Sequence, residues 1–194
     1  MQVWLNMAMS LDGSTSSGGK WSGLSSPRDR QKMDELRAEC DGLLIGARTI
    51  AVDNPNVNVK ASPEKSPVPI TICRSTILDP ALRFFQGPRK PIVFTSKEPE
   101  TRSNAEWIVT DSSKLTPVEI VQELSKRKVS RLLLEGGPTL ARAFLNANLI
   151  DRMYLTIVPW VLFEHNASER IEPRNFKLTS VEQFDQEIFL QYDR

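Results

Sequence analysis

Short apolar runs bounded by turn residues recur along the chain, and segments of helical period separate most of them. Val3 to Ala8 is the first run and suits a strand. GLLIG at 42–46, VPITIC at 68–73, PIVFT at 91–95, EWIV at 106–109 and RLLLE at 131–135 repeat the pattern. Runs such as GLLIG and RLLLE do not alternate, which predicts burial on both faces, as in a parallel sheet. Ser26 suits an N-cap, Pro27 the first helical position, and Asp29 completes a capping-box pattern, so a helix is predicted over 26–40 with Met33, Leu36 and Cys40 on one face. Thr116-Pro117-Val118-Glu119 opens another helix by the same chemistry, carrying Ile120, Val121 and Leu124. After Gly136-Gly137-Pro138 comes a third, with Leu140, Ala141, Phe144 and Leu145 on its apolar side. RMYLTIVP (152–159), FKLTSVEQF (176–184) and EIFLQYD (187–193) then follow as strands alone. The order predicts an α/β fold: a single domain over residues 1–194, a largely parallel central sheet with helices on both faces, and an antiparallel C-terminal edge.

Composition narrows the chemistry. The formal net charge is +1, so a broad field for nucleic acid or a membrane surface is not expected, and phosphate recognition would have to be local. No apolar run approaches the roughly 20 residues that span a bilayer. MQVWLNMAMS lacks the basic start and long apolar core of a signal peptide, so a cytoplasmic protein is expected. Two cysteines, Cys40 and Cys73, read as buried thiols, and the single histidine, His165, falls in the polar stretch FEHNASER. A His/Cys metal site or a histidine-driven hydrolytic triad is therefore not expected.

The chemistry concentrates where strands end in glycine. In LLLEGGPTL a strand feeds two glycines and a helix, which puts bare N–H groups at a positive helix end and lets a phosphate approach the main chain. By residue chemistry alone this is either a phosphate cradle or a plain tight turn, since neither G-x-G-x-x-G nor a Walker A pattern is present. LLIGARTIAVDNP is a second strand–glycine–helix junction. In open α/β sheets ligands bind beyond the carboxyl ends of the strands, so Gly46, Gly136, Ser10 and Asp12 would converge there.

VWLNMAMSLDG, SSPRDRQKMDELRAECDGLLIGARTIAVDNP and LLLEGGPTLARAFLNANLIDRMYLTIVP, in that order, resemble the reductase domain of riboflavin biosynthesis, whose fold is dihydrofolate-reductase-like. The zinc deaminase signatures H-x-E and P-C-x-x-C of the bifunctional members are absent, so only the reductive half is expected. The resemblance implies NADPH as hydride donor and a (di)aminopyrimidine carrying a ribosylamino 5′-phosphate as substrate, reduced to the ribitylamino form by a homodimer. It implies that Ala8 and Ser10 line the nicotinamide side, that Thr49 and Asp53 contact the cofactor with Asp53 near the reacting carbon, and that Ser75 touches the adenosine half. Gly136, Gly137, Pro138, Thr139 and Leu140 would hold the pyrophosphate. Glu135 would hydrogen-bond the substrate. Arg37, Val57 and Lys60 would meet the substrate too, Arg37 and Lys60 as phosphate partners, with help from Ser25 and Ser26. Arg48 and Arg74 are candidates for the 2′-phosphate. The rivals are a dihydrofolate-type reductase of a pterin or another imine, for which a buried carboxylate should face the ring, and a non-catalytic nucleotide-binding paralogue.

Overall fold

The structure is a computed structural model. It describes residues 1–16, 26–74, 76, 78–99, 104–111, 113, 115–164 and 173–194. Nine strands form one sheet among these residues: β1 (Gln2–Ser10), β2 (Gly42–Gly46), β3 (Val68–Cys73), β4 (Ile92–Thr95), β5 (Glu106–Val109), β6 (Arg131–Glu135), β7 (Arg152–Val158), β8 (Lys177–Phe184) and β9 (Glu187–Asp193). Their order is β5-β4-β3-β2-β6-β1-β7-β9-β8. All pairs from β5 to β7 are parallel, and β9 joins β7 and β8 antiparallel.

Four α-helices accompany the sheet among the described residues: α1 (Pro27–Ala38), α2 (Ala47–Asp53), α3 (Pro117–Lys126) and α4 (Pro138–Asn146). Crossovers between parallel strands are right-handed, so direction along the sheet sets the face. The β1–α1–β2 and β2–α2–β3 crossovers run one way, and β5–α3–β6 and β6–α4–β7 run the other. Two cores result. Ile120 and Leu124 of α3 with Ala141 and Phe144 of α4 pack on Leu5, Leu44, Ile70, Leu132 and Leu134. Ala47 and Ile50 of α2 pack with Val57 and Phe84 on Trp4, Leu43, Ile45, Val93 and Leu133 on the opposite face. The strictly alternating assignment of leucines 132–134 explains why the sequence there carries no polar position.

The α3 cap forms as the sequence dictates: Thr116 accepts from the Glu119 N–H, and the Glu119 carboxylate returns to the Thr116 N–H. α1 departs from expectation. Ser26 caps it by accepting from Asp29 N, but the helix ends at Ala38, before Cys40, and its buried residues are Asp29 and Arg37. The reason lies beneath it: the strand face it meets is polar. In the sheet register Glu135 stands beside Asn6, Asn6 beside Tyr154, and Tyr154 beside Gln191. The Thr156 hydroxyl donates to Asp29 Oδ1 at 2.7 Å in the same layer.

The other face of strands β1, β7, β9 and β8 is apolar. Its register rows read Leu5, Met153, Tyr192, Leu178; then Met7, Leu155, Leu190, Val181; then Met9, Ile157, Ile188, Gln183. Only Leu5 of these is fully buried, and Leu178, Val181 and Ile188 are exposed.

Candidate active site

Neighbouring strands β2 and β6 send α2 and α4 to opposite faces, so a crevice opens between their carboxyl ends, where open α/β sheets take their ligands. β2 ends in Gly46 there, and β6 runs directly from Glu135 into Gly136. Gly136 and Gly137 hold φ of 74° and 82°, the left-handed region that side chains with a Cβ avoid. Thr49, in the first turn of α2, packs directly against this bend: a Cβ on Gly136 would sit 3.2 Å from Thr49 Cγ2, and one on Gly137 would sit 3.4 Å from Thr49 Oγ1. A Cβ on Gly46 would lie 4.0 Å from the Gly136 carbonyl. The glycine junctions at Gly46 and Gly136, far apart in sequence, thus meet.

Gly137 is the N-cap of α4 and offers no side chain to it, and the first turn contains no acid. The first N–H groups of a helix have no intrahelical acceptor, so this end favours an anion. Pro138, Thr139 and Gly136 are exposed, and Leu140 is half-buried. Asp53 closes α2, whose chain then turns through Asn54 at φ 41° and ψ 56°. Asp53 Oδ1 is buried without a hydrogen-bond partner among the described residues. A buried carboxylate oxygen left unsatisfied is a place where a bound donor would be held.

Glu135, at the tip of β6, has its partner inside the protein. Arg37 grips it with both arms: Nε donates to Oε1 at 2.9 Å, and a terminal guanidinium nitrogen to Oε2 at 2.6 Å. The other terminal nitrogen donates to the Asn56 carbonyl at 2.9 Å and stands 3.6 Å from Asp34. Arg37 is 2% exposed and Glu135 7%. Burial works against the Arg37 charge, but the Glu135 carboxylate outweighs it and holds the guanidinium above its ordinary value. This alters the expectation for Arg37, whose bidentate fork is occupied by a carboxylate of the same chain. The Val57 side chain is fully buried in the α2-side core with Phe84, so its expected substrate contact is not available to its side chain.

The remaining expected residues divide. Ala8 is half-buried and Ser10 2% exposed, with its hydroxyl donated to Asp12. Ser26 donates to Glu187 at 2.5 Å. Lys60 is exposed, and its N–H reaches Asp34 of α1 at 3.4 Å. Arg48 is exposed, and Arg74 donates to the Leu115 carbonyl. Ser25, Ser75 and His165 lie outside the described residues. Asn6, Asp29, Glu39, Tyr154, Thr156 and Gln191 line a groove of about 230 Å³ between α1 and the sheet. Sequence reasoning did not single out Asp29 for this layer, because a first-turn acid after Ser-Pro is fully accounted for by helix capping. Among the described residues no helix is long and apolar enough to cross a membrane, and no cluster of three His, Cys, Asp or Glu side chains could hold a metal ion.

Comparison with known proteins bears on these features. Residues 1–190 match the family described as the RibD C-terminal domain. The chain is 27% identical over 179 residues to the 2,5-diamino-6-ribosylamino-4(3H)-pyrimidinone 5′-phosphate reductase of Methanothermobacter thermautotrophicus, covering 88% of this chain and 83% of that protein. It superposes on the diaminohydroxyphosphoribosylaminopyrimidine deaminase/5-amino-6-(5-phosphoribosylamino)uracil reductase of Thermotoga maritima with a TM-score of 0.85 and 25% identity, spanning 99% of this chain but 56% of that one. Dihydrofolate reductase of Enterococcus faecalis, solved with NADP(H), shares the fold at a TM-score of 0.60 and 14% identity, over 100% of this chain and 96% of that one.

Proposed function

For a chain that belongs to the RibD C-terminal domain family, we propose NADPH-dependent reduction of the ribosylamino side chain of a (di)aminopyrimidine 5′-phosphate to the ribitylamino form, in riboflavin biosynthesis. The observation that carries this reading is the bend at Gly136-Gly137 with Thr49 against it and the unpartnered Asp53 oxygen nearby in sequence. The residues present fit a dinucleotide. The N–H groups of Gly136, Gly137, Thr139 and Leu140 take the pyrophosphate, with Pro138, which has none, at the first helical position, as anions favour a helix N-terminus without an acid. Thr49 and Asp53 offer a hydroxyl and an acceptor to the cofactor, and Asp53 Oδ1 gains the donor it lacks. Ala8 and Ser10 flank the nicotinamide side, and Ser75 the adenosine. When bound, NADPH would supply the hydride that reduces the sugar carbon of the ring-opened imine, with the proton for its nitrogen coming from solvent or a substrate group.

The chain's own work is positioning. Glu135 accepts from the substrate's ribose or base on lone pairs that Arg37 leaves free, since a carboxylate offers about four acceptor sites and Arg37 uses two. Arg37 acts through Glu135, and the one Ser26 hydroxyl proton is committed to Glu187, which leaves Lys60, with the hydroxyl of Ser25, to meet the phosphate. The two free thiols accord with a reducing compartment, so the reading places the enzyme in the cytoplasm. The three apolar register rows on β1, β7, β9 and β8 contain no charged residue, so the face complements a second copy of itself and supports a homodimer. Light scattering of Val181→Lys, expected to give monomers from a dimeric parent, tests this; a monomeric parent refutes it.

A second reading has one observation in its favour. Asp29 is a buried carboxylate lining the groove beneath α1, the feature a pterin-type reductase requires. Two measurements decide. NADPH at about one hundred times its dissociation constant should add about 2.7 kcal/mol, which at about 2–4 °C per kcal/mol raises the melting temperature by roughly 5–10 °C. Loss of reduced-nicotinamide absorbance should follow addition of the phosphorylated pyrimidine and not of dihydrofolate. No shift with NADPH or NADH overturns the reductase reading, and turnover of dihydrofolate alone transfers it to the pterin class.

A further inference from the structure

The turn after β1 is tied to the chain leaving the neighbouring strand β7 by a network that its sequence, a plain Asp-Gly turn, does not announce. Asp12 Oδ1 accepts from the Ser10 hydroxyl at 2.7 Å and from the Leu162 N–H at 2.9 Å. Its Oδ2 accepts from the Ser14 hydroxyl at 2.9 Å and from the Phe163 N–H at 2.8 Å. The Ser14 hydroxyl in turn accepts from Glu164 N, and Leu11 N donates to the Trp160 carbonyl. One carboxylate thus joins the exit of β1 to the exit of β7, whose amides lie 150 and 151 residues away in sequence.

Apolar burial does not hold this junction. Leu11 is 64% exposed, Trp160 52%, Val161 52% and Phe163 79%. Phe163 also carries φ of 53°, a conformation that a non-glycine residue keeps only when its surroundings enforce it. The enforcing contacts are those to Asp12. The same contacts, led by the Ser10 hydroxyl and the Leu162 amide, hold the Asp12 carboxyl well below the usual carboxylate range.

We infer that Asp12 is a positioning residue: its carboxylate locks the exits of β1 and β7 together so that Ala8 and Ser10 form a fixed wall beside the reacting end of the cofactor. This rests on the cleft assignment proposed above. A local turn needs an acceptor for the residue two positions on, and no more. Here both oxygens are committed to backbone donors in the segment that follows a different strand, and a charged acceptor with two equivalent oxygens is what that geometry requires.

Asp12→Asn tests it. Serine hydroxyls can rotate to accept, but a backbone N–H can only donate, so either orientation of the new amide sets its NH₂ against Leu162 N or Phe163 N. Hydrogen exchange at those two amides should quicken by roughly tenfold or more while α4 and β6 keep their protection. Turnover should fall by roughly ten- to a hundredfold, with the Michaelis constants for both ligands moving by less than about threefold, because the binding groups on α2, β6 and α4 stay in place. Ser14→Ala, which removes one donor to Asp12 and the acceptor for Glu164 N, should show the same split at smaller size if Asp12→Asn does not fold. Unchanged exchange at 162–163 overturns the latch. Faster exchange with unchanged turnover, or turnover and both Michaelis constants shifting together, overturns the positioning role. Failure of the parent protein to bind NADPH instead strikes the cleft assignment, while exchange still reads the latch.

Discussion

Replacing Arg37 with methionine removes the only two donors seen on Glu135 among the described residues and the donor to the Asn56 carbonyl. Glu135 is 7% exposed, so the charge cannot recover its hydration without a local opening. Breaking a buried pair from one side costs about 3–5 kcal/mol, most of it for the charge left behind. The reverse change is milder. Glu135→Gln keeps the shape and one acceptor, and Arg37 retains the Asn56 carbonyl at 2.9 Å and Asp34 at 3.6 Å. Its cost should be that of one charge-assisted hydrogen bond, about 1.5–3 kcal/mol. In the double variant the neutral amide at 135 no longer strands a charge, so the two losses should fall short of their sum by about 2 kcal/mol, within the range seen for residues in contact. Urea unfolding at neutral pH measures all four proteins, with equal slopes required before the free energies are compared. Strict additivity, or a loss below about 1 kcal/mol for Arg37→Met, would refute the claim that this pair is buried and coupled.

Three further outcomes follow from the geometry. Gly137→Ala forces a Cβ into φ 82° and ψ 107°, outside the left-handed well, and 3.4 Å from Thr49 Oγ1; it should cost about 1–3 kcal/mol and weaken NADPH binding, which a titration would show. Phe144→Ala, in the opposite core and fully buried, should cost about 3–5 kcal/mol in urea unfolding yet leave the NADPH dissociation constant nearly unchanged. Burial pushes the Cys40 thiol up to about 12 and the Cys73 thiol up to about 11, so iodoacetamide at mildly alkaline pH should label neither until the protein is unfolded. The unfolded chain ionises these thiols first, near pH 8.5. Stability should therefore be full below that value and fall as pH rises toward 11–12, which melting curves would follow.

Most of the strands were legible because they are apolar runs stopped by turn residues, and Gly42–Gly46 and Arg131–Glu135 could be read as buried for want of any alternation. The glycine bend was legible for the same reason: strand, glycine pair, proline and helix appear in that order in the sequence. Long-range pairing was not. Nothing near Arg37 names Glu135, which lies 98 positions away, so its charge read as available to a ligand. Apolar periodicity on α1 pointed to Met33, Leu36 and Cys40, yet the helix buries Asp29 and Arg37 because the strands beneath present Asn6, Glu135 and Thr156. Asp12 read as a turn residue and is one, but its partners at 162 and 163 are set by the adjacency of β1 and β7, which local pattern does not encode.

The place of β6 in the sheet has a consequence for how the molecule comes into being. β1 and β2 never touch as strands; residues 131–135 wedge between them. A nascent chain that has emerged only as far as residue 130 can pair β2 through β5, but β2 is left with a bare apolar edge and β1 with no neighbour in the sheet. The crevice at Gly46 and Gly136 therefore has one wall until the last third of the chain is made. Synthesis must run well ahead of any ability to capture a nucleotide, and the interval is when this protein most needs shelter from its neighbours.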